Sequence, residues 1–189
     1  MNAPLDIRMD KAAFLRWAEG REGRWELIGG KPRMQDTGSL DHSDVAMALY
    51  DVLRPRLARN AWKISVGQFS VEIGEEVRVA DVLVAPASVP RKALATDQAV
   101  LLAEVLSPSS KGPDLNSKRT LYQSLPSLEV YVVASQDEAK LWLWQRSSDL
   151  ARTFPDDPVV IADRAACLDL ACLAISFTLD DVYSHIFPG

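Results

Sequence analysis

The sequence predicts an α/β fold of the mixed α+β kind, with a mixed central β-sheet flanked by helices. Three observations carry this. Short apolar runs and alternating runs, both typical of strands, outnumber the segments with helical spacing. The helical segments are interspersed among the strands and not gathered at one end. No internal repeat, low-complexity tract or Pro/Gly-rich linker divides the 189 residues. Residues 1–189 therefore read as one domain, long enough to bury a core without disulfide staples.

The elements follow in order. Asp10 to Glu19 carries Phe14, Leu15 and Ala18 at helical spacing and ends at Gly20, a helix-terminating residue. Arg24 to Met34 reads as a β-hairpin around Gly29-Gly30, which tolerate the positive φ of a tight turn. From Ser43 to Leu57, apolar Val45, Leu49, Val52, Leu53 and Leu57 mark an amphipathic helix, whose last turn Pro55 should kink or shorten. Trp62, Ile64 and Val66 alternate, and Phe69, Val71 and Ile73 alternate on the other parity. The slip near Gly67 predicts a β-bulge. Two apolar strands, 77–84 and 100–106, lie either side of a loop holding Pro86, Pro90, Arg91 and Lys92. A helix from Asp114 to Ser124 is announced by Gly112-Pro113 and closed before Pro126. Strands 128–134 and 140–145 flank a polar turn, and the tail contributes one short strand and an amphipathic piece from Leu179 to Phe187.

Composition narrows the function classes. With 48% hydrophobic and 25% charged residues the chain resembles ordinary soluble globular proteins. No apolar stretch approaches the ~20 residues that span a bilayer, so no membrane partner is expected. The N-terminus lacks the cationic start and apolar core of a secretory signal. Cys167 and Cys172, too few for a disulfide framework, read as small buried hydrophobes in a reducing, cytoplasmic protein. A net charge of −5 argues against coating nucleic acid by bulk electrostatics. Yet residues 52–71 hold no acid while carrying Arg54, Arg56, Arg59 and Lys63, and Lys111, Lys118 and Arg119 share a stretch with only Asp114. These cations are either a phosphate-facing rim or ordinary surface scatter.

Chemistry is concentrated at two carboxylates placed inside strand-like apolar runs: Asp81 in Val77-Arg-Val-Ala-Asp-Val-Leu-Val84 and Glu104 in Val100-Leu-Leu-Ala-Glu-Val-Leu106. A buried ionised carboxylate costs several kcal/mol, roughly, unless something cationic offsets it. A divalent metal, a lysine, or both would do so. By parity Asp81 shares a face with Val79 and Leu83, and Glu104 with Leu102 and Leu106, so on neighbouring strands the two can converge. Magnesium accepts such a pair together with waters and phosphate oxygens, and the main-chain carbonyl of Val105 offers a further ligand. Asp114, Lys118 and Tyr122 follow at four-residue spacing on one helix face, which lets Lys118 reach back to the acids. From spacing alone the simpler reading is an Asp114–Lys118 surface ion pair.

The strings Ala80-Asp-Val-Leu-Val, Leu102-Ala-Glu-Val-Leu-Ser-Pro-Ser-Ser110, Asp114-x-x-x-Lys118-x-x-x-Tyr122 and Glu129-Val-Tyr-Val-Val133 resemble the Uma2 family of the PD-(D/E)XK nuclease superfamily. Arg24-Trp-Glu-Leu-Ile-Gly-Gly-Lys31 and Asp41-His42 resemble its N-terminal signature, so the likeness runs from Lys11 to the C-terminus. It implies a restriction-endonuclease-like core, Mg2+ (with Mn2+ as substitute), hydrolysis of DNA phosphodiesters and, by analogy with enzymes that cut both strands, a homodimer. Carried over residue by residue, it implies metal ligation by Asp81 and Glu104 and a catalytic role for Lys118, since the usual lysine position, two beyond Glu104, is Leu106. Glu26 would be an additional acid, His42 would lie near the site, and Asp114 and Tyr122 would orient Lys118. Ala80 stands where the family usually has proline.

Other chemistries lack support. There is no Gly-x-Ser-x-Gly elbow and no Gly-x-x-x-x-Gly-Lys loop, and with only His42 and His185 a histidine-rich metal site is excluded. The five tryptophans read as packing residues. Two alternatives stay open: a non-catalytic binding or regulatory module with a structural acid–lysine cluster, and hydrolysis of RNA or another phosphodiester.

Overall fold

The computed structural model describes residues 7–35, 38–106 and 113–188, with side chains from residue 117 onward in the helix that opens at Pro113. Helix α1 (Lys11–Ala18) starts at Asp10, whose carboxylate accepts from the Ala13 N–H at 2.7 Å. The hairpin β1 (Trp25–Ile28) and β2 (Lys31–Met34) turns on Gly29 (φ +56°) and Gly30 (φ +75°), the two-residue turn that suits strand twist. Helix α2 (Leu40–Arg56) begins three residues earlier than its apolar spacing suggests, because the Ser39 hydroxyl caps it by accepting from the His42 N–H. Pro55 falls in its last turn and the helix ends one residue later.

Strands β3 (Trp62–Val66), β4 (Ser70–Ile73), β5 (Glu76–Val79), β6 (Val82–Pro86), β7 (Ala95–Thr96) and β8 (Leu101–Leu106) precede α3 (Pro113–Gln123). After it come β9 (Val130–Ser135), β10 (Leu141–Gln145), β11 (Val159–Ile161), β12 (Cys167–Leu170), β13 (Ile175–Thr178) and α4 (Leu179–Tyr183). Among the described residues the strands form three sheets. One has the order β2-β1-β5-β4-β7, the second β11-β10-β9-β8-β6-β3, and β12 pairs only with β13. In the six-stranded sheet β8 and β9 run parallel, so the intervening α3 is a crossover that must lie on one face.

That sheet has two different faces. On one, Val45, Leu49 and Leu53 of α2 and Val182 and Tyr183 of α4 pack on Val82, Val84, Leu101 and Val132. On the other, Tyr122 of α3 and Leu125 just beyond it cover Leu83, Leu102, Tyr131 and Val133. Under the five-stranded sheet, Phe14 of α1 seals Leu27 and Val77.

Four sequence expectations are corrected. Gly67 is no β-bulge: β3 and β4 belong to different sheets, and Gly67, at φ +59°, is where the chain leaves one for the other. The Asp81 run is likewise not one strand. It breaks at Ala80-Asp81, between β5 of the first sheet and β6 of the second. The two crossings lie side by side, the Gly67 N–H donating to the Asp81 carbonyl at 2.9 Å. Both cysteines are exposed and free, since β12 turns Leu168 and Leu170 inward and Cys167 outward, and Cys172 sits on a surface 3-10 turn. The tail also holds three strands where one was read. No helix among the described residues is long and apolar enough to cross a membrane.

Candidate active site

Register brings the two carboxylates together. Strands β6 and β8 are antiparallel with Val82 opposite Ala103, so the next step along sets Asp81 beside Glu104. Both acids belong to the face that α3 covers, as parity requires. Glu104 is 8% exposed and Asp81 5%. Each therefore needs partners, and each has found different ones.

Asp81 is held by donors from three directions. Its Oδ1 accepts from Arg24 Nη2 at 3.1 Å and pairs with His42 Nε2 at 3.0 Å, and its Oδ2 accepts from the Val105 N–H at 2.9 Å. Burial pushes its pKa up. The His42 hydrogen bond and charge, the Val105 N–H and the Arg24 guanidinium outweigh that, and hold the carboxyl below its ordinary range. Gly38 makes room for one of these donors, and Gly67 lies in ordinary contact with another. A Cβ at Gly38 would stand 2.8 Å from the His42 ring, and one at Gly67 would stand 3.4 Å from the Arg24 guanidinium carbon.

Among the described residues, Glu104 draws its side-chain donors from α3. Its Oε1 accepts from the Tyr122 hydroxyl at 2.7 Å, and Lys118 Nζ lies 3.3 Å from its Oε2. Burial dominates and lifts its pKa to about 6, with Lys118 opposing and the nearby Asp81 charge adding. Burial in turn lowers the Lys118 pKa, but Glu104, Glu26 and Asp81 more than restore it, so the amine stays protonated. Tyr122 is pushed well above its ordinary range by burial and by the Glu104 charge, and remains a neutral donor.

Glu26 reaches the site from the other sheet. Only 3% exposed, it accepts from the Val79 N–H at 3.0 Å and from Arg78 Nη1 at 3.4 Å. Its charge adds to the burden on Glu104 and to the hold on Lys118. Arg78 also grips Glu76 at 2.6 Å.

The structure thus gathers Asp81, Glu104, Lys118, Glu26, Val105, His42 and Tyr122, all singled out from the sequence. Asp114 lies in α3, but its side chain is outside the described residues, as are residues 107–112. Lys118 turns to Glu104, so it is not the surface group that four-residue spacing first suggested. Arg24 and Arg78 were missed as site residues. Each arginine shares a run with a buried carboxylate (Arg24 with Glu26, Arg78 with Asp81), but the partners are exchanged: Arg24 bonds Asp81 and Arg78 bonds Glu26. Part of the supposed basic rim is structural. Arg54 donates to the Leu57 carbonyl, Arg56 to the Val52 and Ser176 carbonyls and to Asp181, and Lys63 to the Val89 carbonyl.

The donor set suits a hard cation that needs few protein ligands. Among the described residues no three His, Cys, Asp or Glu side chains are placed to hold an ion by themselves. Asp81 and Glu104 supply two carboxylates. Because a residue's N–H and C=O leave an extended strand on the same edge, the Val105 carbonyl points to the Asp81 side as its N–H does. Two carboxylates and a carbonyl, completed by water and substrate oxygen, match magnesium or manganese and not a structural zinc.

A family model described as "Putative restriction endonuclease" matches residues 12–171, a span that includes all the site residues named above. The chain belongs to the Uma2 family. A crystal structure of a "putative nuclease belonging to DUF820" from Anabaena variabilis superposes on this Uma2 chain with a TM-score of 0.69 at 16% identity, covering 95% of this chain and 99% of the other. The fold is therefore the restriction-endonuclease-like one. An uncharacterized protein of Synechocystis, slr1290, is 23% identical over 180 residues, or 93% of this Uma2 chain and 92% of its own length.

Proposed function

We propose that this Uma2 protein is a metal-dependent endonuclease that hydrolyses DNA phosphodiester bonds. The observation behind this reading is the convergence of Asp81 and Glu104 on one sheet face, with the Lys118 amine 3.3 Å from Glu104. Mg2+ or Mn2+ would be held by Asp81, Glu104 and the Val105 carbonyl, where it would polarise the scissile phosphate and lower the pKa of a bound water. Arg24 and His42 keep Asp81 ionised, and Tyr122 fixes the rotamer of Glu104. Lys118, protonated and half-buried, donates to a phosphoryl oxygen as negative charge builds on it. Glu26 keeps Lys118 charged and Arg78 anchored. Cutting both strands would require two copies, so a homodimer belongs to the same proposal.

One observation favours a second reading, a binding module on the same fold. Each oxygen of Asp81 and Glu104 already has a protein donor, so the cluster can stand as a structural network. The readings part on metal and on cutting. Supercoiled DNA, linear DNA and RNA are incubated with the protein, with Mn2+ or with chelator, while melting is followed with and without the ion. The nuclease reading expects Mn2+-dependent DNA nicking and a metal-induced rise in Tm, both lost in Asp81→Asn. Lys118→Ala should cut about 100-fold or more slowly, the usual loss when one transition-state donor is removed. No nicking and no shift in the wild type would leave the binding module. Cutting of RNA alone would move the substrate.

A further inference from the structure

On the face of the six-stranded sheet that carries Asp81 and Glu104, Tyr122 and Leu125 pack over Leu83, Leu102, Tyr131 and Val133, and the sheet continues past them to the edge strand β3. There a cleft of about 570 Å³ is bounded by the turn after β3 and the loop after β6. Leu83 and Ala85 form its floor; they follow Asp81 by two and four residues, about 7 and about 13 Å along a strand. Lys63 and Ser65 project onto the same floor, opposite Ala85 and Leu83 in the β3–β6 register. The far wall is tied down, because Lys63 Nζ donates to the Val89 carbonyl.

The chemistry of this cleft differs from that of the protein as a whole. The chain is net acidic, yet the two segments that build the cleft, 52–71 and 82–96, contain no Asp or Glu. Arg59 and Arg91 stand exposed at its rim, and neither has an ion pair or hydrogen bond among the described residues. The half-buried Phe69 ring and Pro90 line the same cleft and give it an apolar surface. Unpaired guanidinium groups beside an aromatic wall suit phosphates joined to flat bases. A cavity of this size holds a ligand of one or two nucleotides, and a duplex would not enter it.

We infer that the cleft binds an unpaired nucleotide of the DNA strand next to the bond being cut, its phosphates on Arg59 and Arg91 and its base against Phe69. The inference rests on the nuclease reading for the position of the cut, and it makes branched, frayed or single-stranded DNA the preferred substrate.

The test measures binding first, in chelator, so that no cutting intervenes. The full chain is titrated with an aminopurine-labelled single strand and with a fully paired duplex over a series of salt concentrations. Arg59→Glu/Arg91→Glu should weaken single-strand binding at least tenfold. It should also flatten the salt dependence by about 1.4 in log–log slope, the value for two phosphate contacts on a single strand. Phe69→Leu should remove the aminopurine quenching and leave that slope intact. Both arginines are exposed, so the double variant should keep the wild-type Tm. Wild-type affinity, slope and quenching in these variants would overturn the inference. A cleavage assay in Mn2+ separates the two proposals. A wild type that binds through the cleft but cuts nothing loses the nuclease reading alone. A wild type that cuts paired and unpaired DNA equally, whether or not the arginines are reversed, loses the cleft alone.

Discussion

The two faces of the six-stranded sheet solve opposite problems with adjacent residues of the same strands. Along β6 and β8, Val82, Val84, Leu101 and Ala103 point to α2 and α4 and pack into the apolar core there. Their neighbours Asp81 and Glu104 point the other way and meet arginine, histidine, lysine and tyrosine. The first face gains stability from burial and needs no directional partners. The second holds charge out of water, which is tolerated only because every carboxylate oxygen has a donor. One face therefore supports the fold and the other can afford a site, and a carboxylate should be fatal on one and at home on the other.

The largest expected effect tests this directly. Val84 is fully buried on the α2 face, opposite Ile64 and Leu101, three residues from Asp81 and of opposite parity. Val84→Asp puts the same carboxylate where no donor can reach it, which should cost at least about 4 kcal/mol, a large part of the stability of a typical domain. Loss of the cooperative thermal transition in circular dichroism is the expected outcome. A Val84→Asp protein that melts within a few degrees of the wild type would show that the α2 face is not the sealed one.

Much of this division was legible in the sequence, and the rest fails for identifiable reasons. Parity showed which residues share a face with Asp81 and which with Glu104, so convergence followed on the condition that the two strands are neighbours, which the β6–β8 register meets. That Lys118 reaches Glu104 came from family likeness and not from spacing, since spacing fixes which face of a helix a lysine occupies and not what that face meets. Gly67 and Ala80-Asp81 were misread together. A strand that leaves one sheet for another keeps its apolar alternation, so the sequence shows no break where the topology has one. The roles of Arg24 and Arg78 escaped because their partners lie 57 and 52 residues away. Gly38 was silent for a similar reason: its lack of a side chain matters only once the His42 ring lies against it.

The comparison sharpens further within the charged face, where the two acids shift in opposite directions. Glu104, at about 6 against an ordinary 4.5, binds its proton more tightly folded than unfolded. Its contribution to stability is therefore greatest at low pH and is lost as pH rises from 4.5 to 6, by about 2 kcal/mol. Asp81, held below its ordinary value, contributes stability at higher pH that is lost as pH falls through its folded pKa. Glu104→Gln keeps the shape and removes the titration. Denaturant unfolding of the two proteins should show the variant gaining about 2 kcal/mol relative to the wild type between pH 4 and pH 7. A stability difference that stays flat with pH would mean that Glu104 is not a strained carboxylate. The same titration should make Mn2+ stabilise the wild type more at pH 7.5 than at pH 5, since a ligating carboxylate must first lose its proton.

The smallest effect isolates a single hydroxyl. Tyr122 is fully buried and gives its one proton to Glu104 Oε1 at 2.7 Å, so it lowers the Glu104 pKa and fixes the side chain at once. Tyr122→Phe keeps the ring against Tyr131 and removes only that bond. The loss should be about 1 kcal/mol at pH 7, where the carboxylate is charged and keeps Lys118 among the described donors. At pH 4.5 the protonated acid needs the donor less, and the loss should shrink. The apparent pKa of Glu104, followed by the pH dependence of unfolding, should move upward from about 6. The opposite sign, a variant destabilised more at pH 4.5 than at pH 7, would mean that the tyrosine supports a neutral carboxyl and that Lys118 alone holds the charge on this face.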